Sequence, residues 1–117
     1  MDFSASTARA LAVREGDEEY ERRTCGRPWT LGELTLGLVG DIGDLAKLMQ
    51  AGEGVRAIEN AQVKLAHQLA DARWSVIVIA ARCDVDLEAA FVGTMDELTD
   101  WLARAKESDE GGRVGRL

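Results

Sequence analysis

The sequence predicts an all-α protein, a four-helix bundle that assembles into oligomers. Its 117 residues include one proline, and Ala, Leu, Glu, Asp and Arg dominate long stretches, which favours helix. No run of alternating apolar and polar residues bounded by turn residues predicts a β-hairpin. Apolar residues instead recur at steps of three and four, the spacing of one helix face. A chain of this length predicts a single domain, at residues 1–106.

The first predicted helix runs from Ser4 to Arg23, with Ser and Thr near its start and a thin apolar stripe. Gly16 lies inside it, so the acidic run 15–19 fits equally well a break between two shorter helices. Residues 24–29 are predicted to form a turn.

The second predicted helix spans roughly Thr30 to Gln50. Thr30 and Glu33 have the spacing of a capping box, in which each side chain bonds to the backbone of the other residue. Glycines at 52 and 54 suit a C-terminal cap and a short loop. Helical spacing predicts that one stripe of this helix is buried, formed by Leu34, Leu38, Ile42, Leu45 and Met49.

The third predicted helix lies within residues 55–83. Its part from Trp74 to Ala81 is apolar nearly all round, and the β-branched run 76–79 taken alone also fits a buried strand. Ala-rich flanks and the long helical period favour helix. A helix that is apolar around its circumference is enclosed by other helices or by another subunit, and oligomerisation is the expected enclosure in so short a chain.

The fourth predicted helix follows cap residues at 84–86 and keeps apolar register for about four turns. After Ala105 the chain has too little apolar surface to offset the entropy of ordering it. We therefore predict a flexible tail at 107–117.

The formal net charge of -7 limits the expected partners. An acidic chain is poorly suited to a nucleic-acid polymer or an anionic membrane surface, whereas a nucleotide whose phosphates arrive with a metal ion stays compatible. No window approaches the length of a membrane span, and the N-terminus has neither a basic start nor an apolar core. We expect a cytoplasmic protein.

Two acids, Asp41 and Asp44, stand in the apolar run of the second helix, on one face and about one turn apart. Carboxylates beside a buried surface need a positive partner, and oxygen ligands suit Mg²⁺. Gln68 and Asp71 form a second polar pair, which an antiparallel third helix would bring opposite the first. The alternative is that all four are ordinary polar residues at the rim of a bundle. His67 points about 100° from Gln68, so a surface or subunit contact is expected there.

The residues around these pairs resemble the all-α nucleoside triphosphate pyrophosphohydrolases, a MazG-like family that includes the dCTP pyrophosphatases. That family carries Glu-x-x-Glu on one helix and Glu-x-x-Asp on the next. Here Asp41-Ile42-Gly43-Asp44 and Gln68-Leu69-Ala70-Asp71 stand in those places. The flanking segments 38–48 and 80–91 are similar as well, and the resemblance covers about residues 28–98.

The resemblance implies a MazG-like homodimer or dimer of dimers that hydrolyses a nucleoside triphosphate to a monophosphate and pyrophosphate, with Mg²⁺ or with Mn²⁺ in its place. It assigns Asp41, Asp44 and Asp71 as catalytic metal ligands, with Gln68 as a fourth ligand. Gln68 departs from the family's Glu, and an amide can neither add negative charge nor accept a proton as a general base. The alternatives are a catalytically impaired oligomer of this fold, which binds nucleotide or a protein partner without turnover, and a structural oligomer without nucleotide affinity.

Four further side chains are candidates for substrate binding. Lys47 follows Asp44 by one turn, and it either reaches a phosphate or forms an ordinary ion pair. Arg73 has the same two interpretations. Trp29 and Trp74 either stack on a base or belong to the core or an interface.

Overall fold

A computed structural model describes residues 2–54 and 57–110 of the chain, and within these ranges all regular structure is α-helical. The all-α prediction is confirmed, including helix rather than strand at 76–79. None of the described helices is long and apolar enough to cross a membrane. The helices are α1 (Phe3–Cys25), α2 (Leu31–Gly52), α3 (Ala61–Arg82) and α4 (Leu87–Glu110).

α1 is one continuous helix through Gly16, so the break considered for residues 15–19 does not occur. Its first turn is capped by Asp2, whose Oδ1 accepts a hydrogen bond from the Ala5 amide at 2.8 Å. The helix ends at Gly26, whose φ of 83° is left-handed and unfavourable for a residue with a Cβ atom. Local chemistry therefore fixes both ends of α1.

The capping box predicted at Thr30 and Glu33 is confirmed. The Glu33 amide donates to Thr30 Oγ1 at 3.2 Å, and the Thr30 amide donates to Glu33 Oε1 at 2.9 Å. Arg27 Nη1 also donates to Glu33 Oε1, at 2.7 Å. The bond from Arg27, and then the bond from the Thr30 amide, lower the pKa of Glu33 to about 2. The start of α2 is therefore the predicted one, and the helix continues past Gln50 to Gly52.

α3 begins at Ala61, within the predicted range 55–83. Residues 57–60 are not helical, and 55–56 lie outside the described residues. Asn60 precedes the helix in a left-handed conformation with φ 56°, which asparagine tolerates better than most residues. This backbone turn separates the loop from α3.

α4 begins after Asp86, whose Oδ1 accepts from the Ala89 amide at 3.1 Å, so the predicted cap is confirmed. The helix continues to Glu110. Residues 107–110, predicted as the start of a flexible tail, are therefore helical, and 111–117 lie outside the described residues. The stretch contains no glycine or proline and has a glutamate at each end, so α4 continues through it.

The chain divides into two compact units, one ending at Asp84 and one beginning at Val85. In the first unit, α1 and α2 each pack against α3, which makes α3 its central helix. That residues 1–106 form one domain stays a prediction. The buried apolar side chains of the first unit are Ala10, Leu34, Leu48, Ile77, Val78 and Ala80.

The predicted buried stripe of α2 is confirmed at Leu34, which is buried, and at Leu38 and Leu45, which are half-buried, but it is wrong at its other two positions. Ile42 and Met49 were expected inside, but their side chains are 49% and 43% exposed. Asp41 and Leu48 lie one residue earlier, about 100° around the helix; Leu48 is buried and Asp41 is half-buried. Because α3 is the helix packed against α2, this phase turns Asp41 toward α3 and Ile42 toward solvent.

A buried ion pair joins two turns of α1 to the segment that follows. Arg14 donates to Glu21 through both terminal nitrogens, Nη1 to Oε2 at 2.7 Å and Nη2 to Oε1 at 2.9 Å. Glu21 Oε1 also accepts from the Trp29 amide at 2.6 Å. The hydrogen bonds from Arg14 lower the pKa of Glu21, and the same bonds raise the pKa of Arg14. The pair therefore fixes the backbone between α1 and α2.

Glu21→Gln is expected to lower the free energy of unfolding by about 3 kcal/mol, because it leaves the Arg14 charge buried without its counter-ion. Urea unfolding measures the change, and Glu19→Gln at an exposed position of α1 is the control. Because the pKa of Glu21 is lowered from 4.5, the contribution of the pair is complete above pH 4.5 and disappears as the pH falls through the lowered value. Equal, small changes in the free energy of unfolding for both variants would contradict a stabilising role of the Arg14–Glu21 pair.

Candidate functional site

An open cavity of about 470 Å³ lies between α2 and α3. The two helices are joined by the short segment 53–60, so they run antiparallel. The cavity lies where the last turns of α2 face the first turns of α3. Its lining includes Asp44, Lys47 and Leu48 of α2 and Lys64, His67 and Gln68 of α3.

The structure brings together one residue from each predicted polar pair, Asp44 and Gln68. The Asp44 side chain is 55% exposed at the cavity. Gln68 is half-buried, and its Oε1 atom is fully buried without a hydrogen-bond donor in the described protein. A buried acceptor without a donor is unfavourable, so Gln68 Oε1 needs a positive or donating partner.

Asp41 and Asp71 lie about one helical turn farther from the loop, and neither lines the cavity. Both are half-buried. Asp71 Oδ2 lies 3.1 Å from His67 Nε2, on the same helix. The His67 side chain is exposed, consistent with the surface position expected for it, and its described partner is this carboxylate.

Within residues 2–54 and 57–110, no group of three or more His, Cys, Asp or Glu side chains lies close enough together to hold a metal ion. Asp41, Asp44 and Asp71 are therefore not gathered around one point in the described chain. The donor atoms fit Mg²⁺ in kind, because carboxylate and amide oxygens are its usual protein ligands. The orphaned Gln68 Oε1 matches this requirement for an oxygen ligand. The four-ligand site stays a prediction.

The structure separates the two cationic candidates for substrate binding. Lys47 lines the cavity, with Nζ 3.9 Å from Asp44 Oδ1. Both side chains are more than half exposed, so this ion pair contributes little to stability. Arg73 lies instead in a groove of about 280 Å³ between α1 and α3. Of these two candidates, Lys47 shares a cavity with the predicted acidic motif and Arg73 does not, and a substrate role for either residue stays a prediction.

The two tryptophan candidates also lie outside the α2–α3 cavity. Trp74 lines the α1–α3 groove, and its indole Nε1 donates to the Ala10 carbonyl at 3.1 Å. Trp29 lies over the start of α2, where a Cβ atom added to Gly37 would be 3.8 Å from the ring. Trp74 therefore ties α3 to α1, as in the packing interpretation, and base stacking by either ring stays a prediction.

Sequence reasoning missed one cation of the cavity, Lys64. It precedes Gln68 by four residues and therefore shares its helix face, which was the available signal. Among the residues that the structure describes, the cavity lining thus includes two lysines, Lys47 and Lys64, and one carboxylate, that of Asp44. This local positive balance contrasts with the net charge of -7 for the chain.

Part of the chain is similar to dCTP pyrophosphatase 1 of Rattus norvegicus, with 38% identity over 68 residues. The match covers 54% of this chain and 40% of the relative. The chain therefore spans less than half the length of the curated relative it matches. No protein-family model and no solved structure matches the chain.

Trp74→Phe is expected to lower the free energy of unfolding by about 1 kcal/mol, because it removes the hydrogen bond to the Ala10 carbonyl. Chemical denaturation measures the loss. Trp29→Phe is the matched control, because no described hydrogen bond involves its indole nitrogen. If both variants lose the same amount, the Trp74 hydrogen bond does not hold α3 to α1.

Proposed function

We propose that this chain is a cytoplasmic, Mg²⁺-dependent nucleoside triphosphate pyrophosphohydrolase of the MazG-like fold, with Mn²⁺ as a possible substitute. The reaction takes a ribo- or deoxyribonucleoside triphosphate and water to a nucleoside monophosphate and pyrophosphate. The observation that carries the proposal is the 38% identity over 68 residues to a dCTP pyrophosphatase. The α2–α3 cavity supports it, because Asp44 and Gln68 of the two predicted motifs meet there.

In this proposal Asp41, Asp44, Gln68 and Asp71 would hold the cation. A bound Mg²⁺ would neutralise phosphate charge and lower the pKa of the attacking water. Lys47 binds phosphate oxygens as a point charge, since an ammonium group has three donors. Gln68 orients its oxygen but cannot accept a proton, so proton removal belongs to an aspartate. The oxygen of the attacking water bonds to phosphorus as the phosphoanhydride bond between the α- and β-phosphates breaks, and pyrophosphate leaves.

The second candidate function is nucleotide binding without turnover by an oligomer of the same fold. Two observations favour it: Gln68 replaces a carboxylate of the family motif, and the described residues contain no three-membered group of metal ligands. A site that gathers fewer negative ligands binds Mg²⁺ more weakly. Nucleotide binding followed over hours, with no pyrophosphate released, distinguishes this function from the first.

Exposed apolar side chains of α2 support assembly into the homodimer or dimer of dimers of the proposal. Leu36, Val39 and Ile42 recur at steps of three on the side of α2 away from its buried face, and they are 71%, 63% and 49% exposed. An apolar stripe of this kind is typical of a protein–protein contact. The proposed assembly buries this stripe between copies.

Purified protein incubated with a panel of canonical and modified triphosphates is expected to release pyrophosphate with Mg²⁺ or Mn²⁺ and not with EDTA. Asp44→Asn is expected to lower the rate about 100-fold, because it removes a negative oxygen ligand from the cavity. Asp100→Asn, at an exposed position of α4, is the control and keeps the rate. If wild type releases pyrophosphate from none of the triphosphates in the panel, the proposed activity is refuted.

Gln68→Glu is expected to raise Mg²⁺ affinity or the hydrolysis rate several-fold, because it restores a fourth carboxylate. Calorimetric titration with Mg²⁺ and the pyrophosphate assay measure the two effects. Gln62→Glu adds the same charge at an exposed position of α3 and controls for general electrostatics. Identical behaviour of the two variants would remove Gln68 from the set of ligands.

A further inference from the structure

The α2–α3 cavity has apolar walls and a cationic pair of side chains. Leu48 and Val63 contribute apolar surface from the two helices. Lys47 of α2 and Lys64 of α3 line the same space. At about 470 Å³, the cavity has the size typical of small-molecule sites. Each helix therefore contributes one lysine to the lining of a space of small-molecule size.

The two lysines are poorly compensated by the protein. Lys47 has only the 3.9 Å contact with Asp44, and both partners are more than half exposed. Lys64 forms no ion pair with any residue in 2–54 or 57–110. Both lysines line one cavity and carry the same charge, and an anion bound between them would offset both charges. This arrangement in an acidic chain indicates an anionic ligand.

We propose that Lys47 and Lys64 form a two-sided phosphate clamp, one lysine from each helix, which holds the polyphosphate of a nucleotide in this cavity. The inference rests on the proposed function and deepens it, because it identifies protein groups that bind the substrate's phosphates independently of the metal. A triphosphate keeps negative charge after it binds one divalent cation, and two ammonium groups match that remaining charge. Lys47 was already a candidate from the sequence, so Lys64 is the substrate contact that this proposal adds.

The test is calorimetric titration of the full chain with pyrophosphate and with a non-hydrolysable nucleoside triphosphate, in Mg²⁺ and in EDTA. Lys64→Ala is expected to raise the Kd for both ligands about tenfold under both conditions, because a charge-assisted contact is lost. Lys64→Arg is expected to restore most of the affinity. Lys106→Ala removes the same charge from α4 and is expected to leave the Kd unchanged.

Further titrations distinguish recognition of the phosphates from recognition of the nucleoside. The nucleoside without phosphates is expected to bind Lys64→Ala and wild type equally. Added salt is expected to reduce the difference in triphosphate Kd between Lys64→Ala and wild type. Circular dichroism checks that the exposed Lys64 position tolerates alanine. The clamp is overturned if Lys64→Ala and Lys106→Ala weaken phosphate binding equally. It is also overturned if Lys64→Ala loses nucleoside and triphosphate binding to the same extent, or if wild type binds neither phosphate ligand.

The clamp and the proposed function fail in distinguishable ways. Binding that depends on Lys64, with no pyrophosphate released by wild type, supports the clamp and refutes the hydrolase. Turnover by wild type with an unchanged KM in Lys64→Ala supports the hydrolase and refutes the clamp.

Discussion

The antiparallel packing of α2 against α3 determines where every group of the candidate site lies. The short connection between the helices brings the end of one beside the start of the other, and the cavity forms at that level. Asp44 and Gln68 are 24 positions apart in sequence, yet they line one space because of this hairpin. Without the hairpin the two polar motifs would be unrelated surface features.

Helical phase decides which of these groups act together. Each residue turns the helix by about 100°, so a shift of one position exchanges an apolar side chain for a carboxylate on the packed face. In α2 the packed face carries Asp41, while Ile42 is exposed. A half-buried carboxylate is tolerable where a positive group meets it, which is the physical reason to associate this face with a cation. The lysines of the neighbouring cavity carry charge of the opposite sign, as the phosphates of a metal-bound nucleotide require.

The capping interactions at the helix ends were predictable from the sequence, whereas the packing between helices was less predictable. The capping box at Thr30 and the Asp86 cap depend on residues within one turn, and both are present. The buried stripe of α2 was predictable in part, at Leu34, Leu38 and Leu45. The helix is apolar on more than one face, and packing against α3 decided which of the remaining positions are buried. The Arg14–Glu21 pair, seven positions apart, resembles ordinary surface charges until α1 is packed.

The candidate site also combines features that were visible in the sequence with features that depend on how the helices pack. The acidic motifs were visible in the sequence because their spacing is helical, whereas Lys64 gained significance only when α3 faced Lys47 across the cavity. Arg73 and Trp74 were candidates for substrate binding in the sequence. They turn toward α1 instead, because α3 packs against two helices and its faces divide between them.

The claim that a cation binds between α2 and α3 is tested most directly by titrating the ¹⁵N-labelled protein with Mn²⁺ and following paramagnetic broadening of its amide signals. The account predicts selective broadening at residues flanking Asp41, Asp44, Gln68 and Asp71 in both helices, reversed by excess Mg²⁺. Broadening centred on the acidic run 15–19 of α1, or spread evenly over the acidic surface, would contradict it.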